Sequence, residues 1–434
     1  MTYQETLRWL HSMPRTHTAP TLDRIRALLA MVGDPHKTLS GRFLHVTGTN
    51  GKGSACAFLS SALRRGGYRV GRFISPFIME FRERMEIDGV QITEDEVCAI
   101  GEELRAVVNR YTSETGMTPL EFELVTVMGF LYFARHACDL VVLEVGIGGL
   151  YDPTNVVTPL LSLIMRIDYD HTELLGGTLA EIARQKAGII KPGAPCVLYA
   201  ENEPETADVI RARCAQCASP LIIPDLSRLS VGASRPGHLT FAYRGQDYTL
   251  SLSGIYQVRN ALAAIEALHA LPALGFALNE EVITAGLAET TFPARFEVLN
   301  EDPPILLDGA HNRSGMDALA ENIDFYYPVQ PLYYLCGMLS DKHPEEALAP
   351  ILRSECRFCA CITPPSPRAM AAEALCEIFR AHGIEAAAYP SIEEALDALH
   401  TMRIQNSDTQ APVLCFGSLY SAGDVRRACG IQYV

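Results

Sequence analysis

The 434-residue chain has no apolar run approaching the ~18 residues that a membrane-spanning helix needs. Its first residues, MTYQETLRWLHSMPRTH, lack a long apolar stretch, so no secretory signal is expected. Positive charge is in deficit: 36 Lys and Arg stand against 51 Asp and Glu, a net charge of -15. That balance argues against broad nucleic-acid or anionic-membrane binding, both of which reward a basic surface, but it leaves room for a local cationic pocket for nucleotide phosphates. There is no excess of Ser, Gln or Pro to suggest disorder, and no internal repeat or low-complexity tract. The 13 cysteines are odd in number and scattered, which suits reduced thiols in a cytoplasmic protein. Cys214-x-x-Cys217 and Cys356-x-x-Cys359 lack the short regular spacing of four convergent zinc ligands, so no metal is expected there.

The length predicts two domains. Helical and strand patterns alternate along most of the chain, the mark of an α/β fold with a mainly parallel sheet. Strands are predicted at Phe43–Thr47, Tyr68–Ile74, Asp139–Val145 and Leu160–Ile167. Helices are predicted from about Ser54 to Gly66-Gly67, and from Thr93-x-x-Glu96, a capping box. Leu239–Leu252 alternates as a hairpin does, and an Ala-rich helix follows from about Gln257. Thr291-Phe-Pro-Ala-Arg295 reads as a hinge. The rhythm then restarts with strands near Ile305–Leu307, Leu332–Cys336, Arg357–Cys361 and Val413–Phe416, a smaller Rossmann-like unit. The expected division is therefore 1–294 and 295–434.

Gly48-Thr49-Asn50-Gly51-Lys52-Gly53-Ser54 sits between a strand and a helix. Small residues let backbone N–H groups face phosphate oxygens, and the helix N-terminus adds favourable polarity. Lys52 would reach the β and γ phosphates, and Ser54 could bind Mg²⁺. The strict P-loop pattern fails, since Val46 replaces Gly and Gly53 separates Lys52 from Ser54. Glu144 ends a buried strand, where open α/β sheets place ligand groups, and could hold Mg²⁺ opposite that loop. His171 ends the next strand and is either structural or a metal contact. Lys186 lies in a small, apolar helix end, where burial would favour loss of its proton. Asp308-Gly-Ala-His311-Asn312 clusters at a strand-to-helix turn, where Asn312 or Ser314 could equally serve as the cap.

In chain order, these motifs resemble the folylpolyglutamate synthase/dihydrofolate synthase family of the Mur-ligase superfamily over nearly the whole length. The matching segments are His45 to Ser54, Ser75-Pro76, Phe81-x-Glu83-Arg84, Asp88-Gly89, Phe122-Glu123, Glu144 to Gly149, Asp152-x-Thr-Asn155, Asp170-His171, Lys186 to Ile189, Gln257-x-x-Asn260, Arg295, Asp308 to Asn312 and Gly417 to Tyr420. The resemblance implies an N-terminal P-loop domain like the Mur-ligase central domain, a smaller C-terminal Rossmann-like domain, and a site in the cleft. It implies that Thr49, Asn50, Gly51, Lys52, Gly53 and Ser54 contact ATP, and that Ser54, Ser75, Glu144 and His171 surround Mg²⁺. Lys186 would be carbamylated, restoring an anion beside the metal. Lys52, Lys186, His171 and Glu144 would form the catalytic set. Asn260, Arg295, Asp308 and His311 would contact the nucleotide, and Phe122 and Asp152 would face the pteroate. The implied reaction joins L-glutamate to dihydropteroate or a reduced folate at the expense of ATP, in a monomer. A Mur-type ligase with another carboxylate acceptor and a non-catalytic nucleotide switch are the rival readings. Three positions depart from the family's usual pattern: Phe77 stands for His, Leu150 for Arg, and Tyr256 for the His before Gln257.

Overall fold

A computed structural model describes residues 1–15, 20–353 and 355–431. The chain divides into two compact units, one of 1–228 with 259–289 and one of 229–258 with 290–434. The sequence expectation put the division at 294/295; in this grouping 229–258 goes with the later residues.

The first unit is built on an eight-stranded sheet. In chain order its strands are β1 (Phe43–Thr47), β2 (Val70–Phe73), β3 (Met85–Ile87), β4 (Val90–Gln91), β5 (Leu140–Glu144), β6 (Pro159–Ile164), β7 (Cys196–Leu198) and β8 (Leu221–Ile222), arranged β4-β3-β2-β5-β1-β6-β7-β8. From β2 to β8 all neighbours run parallel, while β3 and β4 return antiparallel at one edge. β1 lies at the centre with all five residues buried, as a strand covered on both faces must be. Its register sets Val46 beside Glu144 and Thr47 beside Ile164, so the loops after β1, β5 and β6 leave the sheet at one end.

One apolar core joins the helices Tyr3–His11, Asp23–Met31, Glu94–Thr115 and Glu121–Arg135, with Phe43, Phe130 and Phe133 at its centre. Another joins the helices Leu179–Ala187 and Pro204–Gln216 around Ile182, Ile189 and Ile210. The capping box forms as predicted: Thr93 accepts from the Glu96 amide, and Glu96 accepts from the Thr93 amide. The helix after β1 begins at Lys52, two residues earlier than predicted, because Gly51 at φ +86° turns the chain directly into it.

The second unit holds a three-stranded antiparallel sheet, β9 (Leu229–Val231), β10 (Leu239–Tyr243) and β11 (Gln246–Leu250), where the hairpin was predicted. It also holds a six-stranded sheet of β12 (Glu297–Glu301), β13 (Pro304–Leu307), β14 (Leu332–Cys336), β15 (Cys356–Cys361), β16 (Glu385–Ala388) and β17 (Val413–Phe416), ordered β12-β13-β17-β14-β15-β16. Only β12 is antiparallel to its neighbour. The fold is thus α/β with parallel sheets in both units. No described helix is long and apolar enough to cross a membrane.

Candidate active site

The loop Gly48–Gly53 is fixed by its neighbours. Thr49 donates its amide to the Arg166 carbonyl at 2.7 Å and its hydroxyl to the Asp168 carbonyl at 2.9 Å. Thr47 donates its hydroxyl to the Gly148 carbonyl at 2.6 Å. The loop after β1 is therefore tied to those after β6 and β5. A Cβ on Gly51 would lie 2.5 Å from Oδ1 of Asn260, so Asn260 stands directly against the loop. Lys52 folds its ammonium back onto the carbonyls of Gly48 and Thr49, at 3.1 and 3.2 Å. Ser54 is buried in the first turn of the helix.

The side-chain nitrogen Nδ2 of Asn50 is buried and has no hydrogen-bond partner among the described residues. A donor so placed in a Gly-rich loop fits an anionic oxygen, which would satisfy it.

Glu144 is buried at the end of β5, and its Oε2 accepts from the Ser75 amide at 3.1 Å. His171 adopts φ +49° at the start of the short helix Thr172–Leu175, and its Nε2 lies 3.9 Å from Oδ2 of Asp170. Among the described residues no three His, Cys, Asp or Glu side chains converge as a metal cage. Ser54, Ser75, Glu144 and His171 supply one carboxylate, two hydroxyls and an imidazole. That set fits an Mg²⁺ that takes its remaining ligands from water and phosphate oxygens, the usual habit of this ion.

Lys186 is buried on the helix Leu179–Ala187. Burial holds its amine well below the ordinary lysine range, and the charge of Lys52 pushes the same way, against the opposing pull of Asp170 and Asp152. Lys52, Asp170 and Asp152 therefore each lie within electrostatic reach of Lys186.

Phe122 and Asp152 meet over Gly146: a Cβ there would lie 2.6 Å from the Phe122 ring and 3.1 Å from Asp152 Oδ2. Asp152 accepts from the amides of Ile147 and Thr154, each at 3.0 Å, and from the Thr154 hydroxyl. Burial still raises its pKa above the usual value for aspartate. With its proton committed to Asp152, the Thr154 hydroxyl accepts from Nε2 of His45 at 2.9 Å. Burial, aided by Lys191, holds His45 neutral, its pKa pushed down to about 3. Thr154 and Asp170 are absent from the expected site residues. Both lie in segments that the resemblance matched, Asp152-x-Thr-Asn155 and Asp170-His171, but without a role given to either residue.

On the second unit the expected residues again gather. Asp308 Oδ2 accepts from the Phe296 amide at 2.9 Å, and Oδ1 from the Ala310 amide at 2.8 Å. A Cβ on Gly309 would lie 2.6 Å from the Arg295 guanidinium, and His311 donates from Nδ1 to the Gly309 carbonyl at 2.8 Å. Asn312 caps the following helix through the Gly315 amide. Of the sequence-predicted residues, Asn260 stands against Gly51, Ser75 meets Glu144, Phe122 and Asp152 meet over Gly146, and Arg295 and His311 gather at Gly309 beside Asp308.

Known proteins are similar to this chain in sequence and fold. The Mur ligase middle domain matches residues 46–268, and the Mur ligase glutamate ligase domain matches residues 294–419. The dihydrofolate synthase/folylpolyglutamate synthase of Bacillus subtilis is 34% identical over 433 residues, covering 98% of each chain. This chain belongs to the folylpolyglutamate synthase/dihydrofolate synthase family of Mur ligases. The folylpolyglutamate synthase of Thermotoga maritima superposes with a TM-score of 0.85 at 32% identity, covering 99% of this chain and 96% of that one. A folylpolyglutamate synthase solved with AMPPCP and folate superposes at 0.80 with 31% identity, covering 98% and 99%. The ligase described here is ATP-dependent, like its family.

Proposed function

We propose that this ligase activates a folate-type carboxylate with ATP and couples it to L-glutamate. What supports the reading is Lys52 in the Gly48–Ser54 loop, Glu144 paired with Val46 on the neighbouring strand, and a buried Lys186 that feels the charge of Lys52, in a chain matched over 98% of its length by a ligase of this name. A carboxylate resists attack by an amine at neutral pH. Transfer of the γ-phosphoryl group makes it an acyl phosphate; the amine of glutamate then attacks the acyl carbon, and inorganic phosphate leaves. Catalysis of that kind rests on positioning and electrostatics.

Lys52, Asn50 and the loop amides hold the phosphates, and Ser54, Ser75, Glu144 and His171 would hold Mg²⁺. The bound ion supplies neutralising charge on the phosphate oxygens. Asn260 abuts the loop, and Arg295, Asp308 and His311 form the second nucleotide-contacting group. Phe122 offers a ring face, and Asp152 an acceptor, to the pteroate.

Lys186 carries a carbamate in this reading. Burial and the charge of Lys52 both favour the neutral amine, the form that attacks CO2, forming the N–C bond and releasing one proton. The product anion would lie within electrostatic reach of the Lys52 charge, which favours it.

The test is glutamate-dependent ADP release by the purified chain, with dihydropteroate and tetrahydrofolate offered separately. Release with either one supports the reading. ADP release only with a non-folate carboxylate would assign the chain to another Mur-type reaction. No ADP release with any of the acceptors would leave only nucleotide binding.

A further inference from the structure

Tyr256 opens the helix Tyr256–Ala270, just before Gln257, and its surroundings are built for the phenol. Its hydroxyl donates to Oδ2 of Asp308 at 2.9 Å. Gly254, two residues earlier, has φ +102°, and a Cβ there would lie 2.9 Å from the Tyr256 ring and from the Asn322 amide nitrogen. Asn322 in turn accepts from the Ile255 amide at 2.8 Å, and the Gly254 amide donates to the Tyr326 hydroxyl. The turn Gly254–Tyr256 is thus seated on the helix Arg313–Tyr326.

Asp308 is buried, and an ionised carboxylate offers about four acceptor sites. Two on Oδ2 are taken by Tyr256 and the Phe296 amide, and one on Oδ1 by the Ala310 amide. One site on Oδ1 remains for a ligand that donates a hydrogen bond. The charged and titratable groups placed around this pair are Arg295, which opposes the burial of Asp308, and Tyr326 beside Tyr256.

We infer that Tyr256 is a positioning residue that binds Oδ2 of Asp308 and so commits Oδ1 to a hydroxyl donor on the nucleotide. This rests on the proposed nucleotide contact of Asp308. A phenol does this without changing charge near neutrality: burial and the neighbouring Asp308 push the Tyr256 ionisation well above its ordinary value. A histidine in the same place, with an ordinary pKa of about 6.5, would gain and lose a proton across the working range. In this chain, nucleotide affinity should therefore be flat with pH where a His-bearing form bends.

The experiment compares full-length wild type, Tyr256→Phe, Tyr256→His and Asp308→Asn by steady-state kinetics from pH 6 to 9, with thermal melts as a folding check. Tyr256→Phe should raise the KM for ATP by about tenfold, as loss of a hydrogen bond to a charged group does, while leaving the KM for folate and glutamate and most of kcat in place. Tyr256→His should restore the affinity at acid pH and lose it as the imidazole deprotonates. If Tyr256→Phe leaves the KM for ATP unchanged while Asp308→Asn raises it, Asp308 needs no help from Tyr256 and the inference fails. If Asp308→Asn is itself silent, the nucleotide contact of Asp308 fails, and the inference with it. Should Tyr256→Phe melt early, the pH profile of Tyr256→His decides alone, and a flat profile overturns the inference.

Discussion

At the scale of single residues, two lysines divide the work. Lys52 lies over its own loop, its ammonium bonded to the carbonyls of Gly48 and Thr49. Lys52→Ala should abolish glutamate-dependent ADP release while leaving the thermal melt close to wild type; near-normal release from the folded variant would remove Lys52 from the site. Lys186 is the opposite case, a buried amine held low by desolvation. Its folded pKa lies below the unfolded value, so without a carbamate the unfolded chain binds more protons. Stability should then rise with pH from the depressed folded value toward about 10.4. Stripping CO2 should lower activity and melting temperature together at neutral pH, with the stability loss shrinking as the pH is raised. A chain whose melt and turnover ignore CO2 would carry a bare amine.

Among elements, the loop 146–150 shows how local packing sets what a substitution can do. Leu150 donates its amide to the Gln185 carbonyl at 2.7 Å, and its backbone leaves no room for a Cβ on Gly188, so the loop is clamped to the Lys186 helix. The Leu150 side chain is nonetheless 37% exposed. Leu150→Arg should therefore fold and should lower the KM for an anionic folate by roughly tenfold, with the KM for ATP unchanged, since Arg adds a fixed charge and a fork of donors. An unchanged folate KM would show that position 150 faces away from substrate. The helix Glu94–Thr115 gives a contrast. Thr93→Ala removes its N-cap and should cost about 1 kcal/mol in denaturant unfolding with no kinetic effect. A change in KM there would mean that the helix reaches the site.

For the whole molecule, the net charge of -15 coexists with a loop that fits phosphate, because affinity is set by a few oriented donors and not by the average surface. Binding to the folded state alone should raise stability by mass action, about 2.7 kcal/mol when Mg-ATP is present at 100 times its Kd. Lys52→Ala should lose most of that stabilisation. If ATP shifted the melt of wild type and variant equally, it would be binding elsewhere.

Much of this was legible in the chain itself. The run Gly48–Ser54 needed only a strand before it and a helix after it to be read as a phosphate loop, and Thr93-x-x-Glu96 encodes a helix start in local chemistry. The parallel strands announced themselves as buried apolar runs. What lay beyond reach were contacts between residues far apart in sequence. Short edge strands such as β12 and β16 carry little apolar signal and exist because a neighbour offers them a ladder. That Lys186 lies within reach of Lys52, that Asn260 abuts Gly51, and that Tyr256 donates to Asp308 depend on how distant loops are brought together. Sequence by itself determined the elements and the kinds of chemistry they carry, because capping, turns and burial patterns act over a few residues. Tertiary structure alone decided which groups share a dielectric environment, and so which lysine is pushed toward its neutral form and which carboxylate oxygen remains for a ligand.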